Sequence, residues 1–171
     1  MKGENSSFMQ VYLLRHAVAE KDRPGLSDAD RALTGDGKRK LRQVLRAAGE
    51  AQVQPTLILT SPLKRAVETA EIAQQVLARK TELLRTKALL PGATPEQVWE
   101  EIRVHRDEAA LMLVGHNPLF AELSGYLLGS SEMRVDFKKG ALLRIDFEQF
   151  RAHPKGVLRW YLTAKVAAKG A

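Results

Sequence analysis

There is no cysteine anywhere in these 171 residues. That one absence removes disulfides, thiolate nucleophiles and zinc–thiolate sites together. Histidine is scarce as well. The four present, His16, His105, His116 and His153, show no His-Glu-x-x-His spacing that would set two imidazoles on one helix face. Neither a metal nor another cofactor is suggested. No apolar run reaches the length of a membrane span, and the opening Met1-Lys2-Gly3-Glu4-Asn5-Ser6-Ser7 lacks the apolar core of a secretion signal. The expectation is a cytoplasmic protein with no membrane partner. Aromatic residues make up only 6%, and none interleaves with the basic run at 38–46, so a stacking platform for nucleic acid is not expected. Gly35-Asp36-Gly37-Lys38 is not a nucleotide-binding loop: Arg39 stands where a serine or threonine is needed, and no glycine lies five residues before Gly37.

What is present reads as an ordinary globular chain, 44% apolar and 27% charged. This length suits one domain, large enough to bury roughly 70% of its unfolded surface. We expect a flexible segment at residues 1–8 followed by a single domain over 9–171, monomeric. The net charge of +7 favours anionic partners without choosing among them.

The most informative stretch is Val11-Tyr12-Leu13-Leu14-Arg15-His16-Ala17. Its apolar run reads as a short strand buried on both faces, delivering an arginine and a histidine at its C-terminal end. In open α/β sheets ligands bind in the crevice beyond such ends. The long polar loop Val18 to Arg31 follows, then Thr34 as the N-cap of a helix with Leu41, Val44, Leu45 and Ala48 inward. The basic side chains at 38, 39, 40, 42 and 46 fall on its other faces, where they read as solvated charge.

Leu57-Ile58-Leu59 is a second buried strand. It stops at Thr60-Ser61-Pro62, where Ser61 as N-cap and Pro62 as first helical residue would start a helix at once, with Arg65 in its first turn. Glu82-Leu83-Leu84 reads as a further short strand. Thr94-Pro95-Glu96-Gln97 is a capping box opening a helix with Val98 and Ile102 inward. Ala109 to Val114 is a third buried strand, ending at Gly115-His116-Asn117-Pro118. There Asn117 and Pro118 read as N-cap and first helical residue of a helix carrying Leu119, Leu123, Leu127 and Leu128. Ala141 to Phe147 and Val157 to Leu162 read as an antiparallel pair. The alternation predicts a three-layer α/β/α domain with a mostly parallel mixed sheet and antiparallel C-terminal strands.

Three buried strands thus end on polar groups: Arg15 and His16, Ser61 with Arg65 just beyond, and His116. An arginine fork meets two phosphate oxygens at once, and neutral imidazole is a good nucleophile towards phosphorus near neutral pH. Two arginines, two histidines and two helix starts on one edge would suit a dianionic phosphoryl group.

Leu14-Arg15-His16-Ala17 resembles the Arg-His-Gly signature of the histidine phosphatase superfamily, which has the phosphoglycerate-mutase-like fold. Ser61-Pro62-Leu63-Lys64-Arg65-Ala66 with Thr69-Ala70 resembles its second arginine motif, and Val114-Gly115-His116-Asn117-Pro118 its second histidine motif. The short length and Asp30-Arg31-Ala32-Leu33-Thr34 resemble phosphohistidine phosphatases of the SixA type. The resemblance implies that His16 is the nucleophile and becomes phosphorylated, that Arg15 and Arg65 clamp the phosphoryl oxygens, and that His116 donates to the same group. It implies that Arg31 adds a further phosphate contact, and that water then hydrolyses phospho-His16. Ala17 departs from the usual glycine of the signature.

The implied function is hydrolysis of phosphohistidine on a protein. An imidazole leaving group, with a conjugate-acid pKa of about 6.5, needs far less help than an alkoxide. The alternatives are a small-molecule phosphomonoesterase using Glu20 or Asp22 as its acid, and a phosphate-binding module without catalysis. The first would take a small phosphomonoester as substrate in place of a phosphorylated protein.

Overall fold

The computed structural model describes residues 8–170. The amino-terminal stretch expected to be flexible lies, apart from Phe8, outside the described residues. Six strands form one sheet: β1 (Met9–Arg15), β2 (Leu57–Thr60), β3 (Glu82–Arg85), β4 (Ala110–Gly115), β5 (Leu142–Phe147) and β6 (Val157–Leu162). Their order across the sheet is β3-β2-β4-β1-β5-β6. The first four of these are mutually parallel, while β5 runs antiparallel to both β1 and β6. The mostly parallel sheet with an antiparallel C-terminal end is as the sequence predicts.

The strands are nearly continuous runs of apolar residues because both faces are covered. Val11 and Leu13 of β1, with Leu57, Leu59, Leu111 and Leu113, pack against α3 (Pro95–Val104) and α4 (Leu119–Leu127). Tyr12 and Leu14 point the other way, with Ile58, Met112 and Val114, onto α1 (Gly35–Glu50) and α2 (Lys64–Leu77). Leu41, Val44, Leu45 and Ala48 of α1 are buried as their spacing predicts, and Val98 and Ile102 of α3 likewise. On the outer face of α1, Arg39 and Lys40 are exposed and both pair with Asp36 at 2.7 Å. A short α5 (Ala164–Ala167), which the sequence pattern did not suggest, packs against α1.

Helix starts both confirm and correct the sequence reading. Thr34 caps α1 by accepting from the Gly37 N–H, and Thr94 with Gln97 forms the expected capping box on α3. The other two caps are placed differently. Ser61 and Pro62 precede α2 without capping it: the helix begins at Lys64, with Leu63 at the N-cap and no side-chain bond there. Likewise α4 begins at Leu119 with Pro118 at the N-cap, not Asn117. The reason is competition for the side chains. The Ser61 hydroxyl bonds His116 and takes only a long 3.4 Å contact from the Leu63 N–H, and the Asn117 amide donates to the Phe137 carbonyl, so each side chain is oriented by a partner outside its own helix. Leu128, expected inward on α4, is only half-buried beyond the helix end.

The topology places the site. From β1 the chain crosses over β4 to reach β2, and after β3 it returns to β4 between them. Because β1, β4 and β2 are parallel neighbours, their C-terminal ends share one edge. Arg15 stands opposite Gly115, and Thr60 opposite Val114. The His16 N–H donates to the Gly115 carbonyl and the Ser61 N–H to the Val114 carbonyl, extending the ladder by one residue at each strand end. The polar residues that close these strands therefore meet by construction.

Candidate active site

His16 and His116 are buried, with ring centroids 5.1 Å apart and planes inclined at 55°. His16 Nδ1 lies 2.8 Å from the Ala17 carbonyl oxygen. A carbonyl only accepts, so Nδ1 carries the proton and the lone pair of the neutral ring sits on Nε2. Burial pushes the His16 pKa down to about 4, against a smaller upward pull from the Ala17 hydrogen bond; the charges of Arg65, Arg15 and Lys139 lower it further. The ring is thus neutral at pH 7.

Several contacts hold this turn in place. Gly140, with φ +71°, donates its N–H to both the Arg15 and His16 carbonyls at 3.1 Å. The Ala17 N–H donates to Thr69 Oγ1 at 3.2 Å, and that hydroxyl in turn donates to the Arg65 carbonyl at 2.7 Å. The nucleophile candidate and the second arginine are therefore tied together through α2.

Arg15 donates from Nη1 to the Phe137 carbonyl at 2.7 Å. Arg65, buried in the first turn of α2, donates from Nη1 to the Asp28 carbonyl at 2.8 Å and from Nη2 to Asp28 Oδ2 at 3.2 Å. That uses the end-on side of the guanidinium and leaves the side formed by Nε and Nη2 for another acceptor. Nε of Arg15 and Nε of Arg65 are buried without a hydrogen-bond partner among the described residues, as is Nδ1 of His116. Unpaired buried donors of this kind cost free energy, and an oxygen-rich anion is the chemistry that satisfies them. His116 Nε2 lies 2.7 Å from Ser61 Oγ. Burial first, then the charges of His16 and Arg65, push the His116 pKa down to about 3.

The loop residues are arranged differently from the core of the site. Arg31 reaches Asp28 Oδ1 from Nη2 at 2.7 Å and from Nε at 3.0 Å, and the Glu20 carbonyl from Nη1 at 3.0 Å. It is joined to Arg65 through Asp28, which stands between the two guanidiniums. Glu20 uses its carboxylate to accept from the Ala32 N–H at 3.0 Å, closing the loop rather than facing the histidines. Asp22 is exposed and makes no hydrogen bond among the described residues.

Asp28 is the residue that sequence reasoning passed over. It sits in a single 3₁₀ turn (Asp28–Asp30), where i,i+3 spacing brings it onto Arg31. The Arg31 hydrogen bonds are the main cause of its lowered pKa; desolvation opposes them, and the charge and hydrogen bond of Arg65 lower it further. The Asp-x-x-Arg spacing was a visible signal for that pair; the contact with Arg65, 37 residues on, was not. Among the described residues no group of three or more His, Asp or Glu side chains could hold a metal ion.

A three-layer α/β/α protein with two histidines and two arginines at the C-terminal edge of its parallel strands defines the class. Residues 11–89 match the sequence profile of the histidine phosphatase superfamily, branch 1. An uncharacterised protein of Picosynechococcus sp. is 30% identical over 149 residues, spanning 85% of this chain and 90% of that relative. The chain belongs to the histidine phosphatase superfamily. Solved structures share the fold. The protein histidine phosphatase SixA, determined with tungstate, superposes with a TM-score of 0.82 at 24% identity, covering 92% of this chain and 98% of its own. The alpha-ribazole phosphatase of Shigella flexneri superposes at 0.69 with 19% identity, covering 91% and 97%.

Proposed function

We propose that the protein is a phosphatase acting on phosphohistidine carried by a protein, through a covalent phosphohistidine at His16. The observation that carries this reading is the Nδ1–H bond from His16 to the Ala17 carbonyl. It leaves a neutral, buried Nε2 lone pair beside two arginines. In the first step that lone pair attacks phosphorus while the P–N bond to the substrate imidazole breaks, and the departing ring keeps the bonding pair and a proton on its other nitrogen. In the second, water attacks the phosphorus of phospho-His16, releasing inorganic phosphate and returning the lone pair to Nε2. Arg15 and Arg65 hold the equatorial oxygens in both steps, His116 donates to one of them, and Arg31 acts through Asp28.

The choice of substrate rests on the carboxylates. Expelling an alkoxide calls for an acid held protonated near neutral pH. Asp28, the carboxylate bonded to Arg65, has its pKa lowered by two guanidiniums and stays ionised. Glu20 is engaged with the Ala32 N–H, and Asp22 stands exposed. A site poor in acids suits an imidazole leaving group better than an alkoxide. The fold likeness to both SixA and an alpha-ribazole phosphatase is compatible with either substrate class.

The test compares wild-type rates on a phosphohistidine-bearing protein, phosphoserine and para-nitrophenyl phosphate. A wide margin for phosphohistidine is expected, with Glu20→Gln and Asp22→Asn changing little on any of the three. Good turnover of phosphoserine, lost selectively in either variant, would establish the small-phosphomonoester reading instead. His16→Ala should abolish turnover with the fold intact, and more than a trace of residual activity removes His16 as nucleophile. Binding of phosphate without turnover of any substrate would leave a recognition module.

A further inference from the structure

We infer that Ser61 is a positioning residue that fixes His116 in the tautomer with its proton on Nδ1, making the ring a donor towards a bound phosphoryl oxygen. The inference deepens the phosphatase reading and rests on it for the identity of the anion. The tautomer itself follows from hydrogen-bond accounting.

Ser61 Oγ is fully buried and has two partners among the described residues, His116 Nε2 at 2.7 Å and the Leu63 N–H at a long 3.4 Å. The Leu63 N–H only donates, so it occupies a lone pair of Oγ. The hydroxyl proton then has a single acceptor within reach, Nε2 of His116. A neutral imidazole carries one proton, and with Nε2 accepting, that proton lies on Nδ1. The opposite arrangement is poorer at both ends. If Nε2–H donated to Oγ, the serine would accept twice and its own proton would be buried without an acceptor. Nδ1 would then offer a lone pair beside His16, where a dianion is to be held.

His116 Nδ1 has no partner among the described residues, the same condition as Nε of Arg15 and of Arg65. Three N–H donors unpartnered in one site are a matched set for an anion; two donors and a lone pair are not. The lowered His116 pKa, set mainly by burial, agrees with a ring that stays neutral and so has a tautomer to choose.

The experiment is a long-range ¹H–¹⁵N correlation spectrum of the histidine rings of the free protein at neutral pH, with His116 assigned by loss of its signals in His116→Gln. A protonated Nδ1 and unprotonated Nε2 at His116 are expected. Ser61→Ala should move the proton wholly or partly to Nε2 and lower kcat roughly tenfold or more, with a smaller effect on KM. Ser61→Thr, which restores the hydroxyl, should recover the tautomer. Orthovanadate should shift the His116 Nδ1 proton downfield. A wild-type ring protonated on Nε2, or a tautomer unchanged in Ser61→Ala, would overturn the inference. Because the spectrum is read without turnover, it stands or falls separately from the phosphatase reading. Should Ser61→Ala fail to fold, the wild-type tautomer and its response to vanadate still decide.

Discussion

The two buried imidazoles differ from free histidine in a way that sets the acid behaviour of the site. Protonated His16 has no lone pair to offer, so kcat/KM should fall as pH drops through about 4, the pKa to which burial has lowered it. Between pH 5 and 8 the profile should be nearly flat on the acid side. A pH–rate profile with an acid limb near 6.5 would show that the ring is not the nucleophile in the environment described. The arginines give a second prediction. Arg65 spends its end-on side on Asp28, so a phosphoryl group must be met by Nε and Nη2 together. Lysine keeps the charge without the fork, and Arg65→Lys and Arg15→Lys should each lose roughly tenfold or more in kcat. Asp28 is tested by contrast: Asp28→Ala should impair turnover more than Asp28→Asn, because asparagine keeps a side-chain acceptor for Arg65 Nη2 while alanine leaves only the backbone carbonyl that meets Nη1. Equal rates in the two variants would separate Asp28 from the clamp.

Elements matter here through how closely they approach the nucleophile. The first turn of α1 sits directly on the backbone that leaves His16. The Val18 carbonyl accepts from the Thr34 N–H at 2.9 Å and from the Thr34 hydroxyl at 3.3 Å, and Gly37 packs against the same carbonyl. A Cβ at position 37 would overlap the Val18 oxygen, a backbone atom with no freedom to rotate away. Gly37→Ala should therefore destabilise the protein by about 1–3 kcal/mol despite its better helix propensity, and should lower kcat by displacing residues 16–18. Urea denaturation and kcat on the same preparation measure both effects. An alanine variant as stable and active as wild type would mean that α1 is free to shift.

At the scale of the whole molecule, the site is part of the stability of the fold. Unfolding returns His16 and His116 to water, where each takes up a proton at about pH 6.5. Their folded pKa values are lower, about 4 and about 3, so the unfolded chain binds more protons between these limits. Stability is then fully present above pH 6.5 and is lost as pH falls towards the folded values, by on the order of 3 kcal/mol for His16. Asp28 acts in the same direction at lower pH, since its depressed pKa means its arginine contacts are lost as the carboxylate protonates. The urea midpoint should decline from pH 6.5 towards 4, and the decline should be shallower in His16→Gln. An identical slope in the two proteins would place the acid sensitivity elsewhere.

How much of this was legible in the chain follows from the range of each interaction. Buried strands announce themselves by uninterrupted apolar runs, and Val11–Leu14, Leu57–Leu59 and Leu111–Val114 are such runs because helices cover both faces. The ends of those runs named Arg15, His16, Arg65 and His116, since polar residues closing buried strands stand out against what precedes them. Caps with a local partner, Thr34 and Thr94, were legible for the same reason. Ser61 and Asn117 misled because their side chains had a local option and a distant one, and the distant one prevailed once β2 and β4 were adjacent. Asp28 between Arg31 and Arg65, and Glu20 turned onto Ala32, likewise depend on how the loop folds back over α2. The sequence by itself determined which strands are buried and which groups lie at their ends. Only the tertiary structure decided which of those groups touch, because a hydrogen bond between residues tens of positions apart leaves no periodicity for a sequence to display.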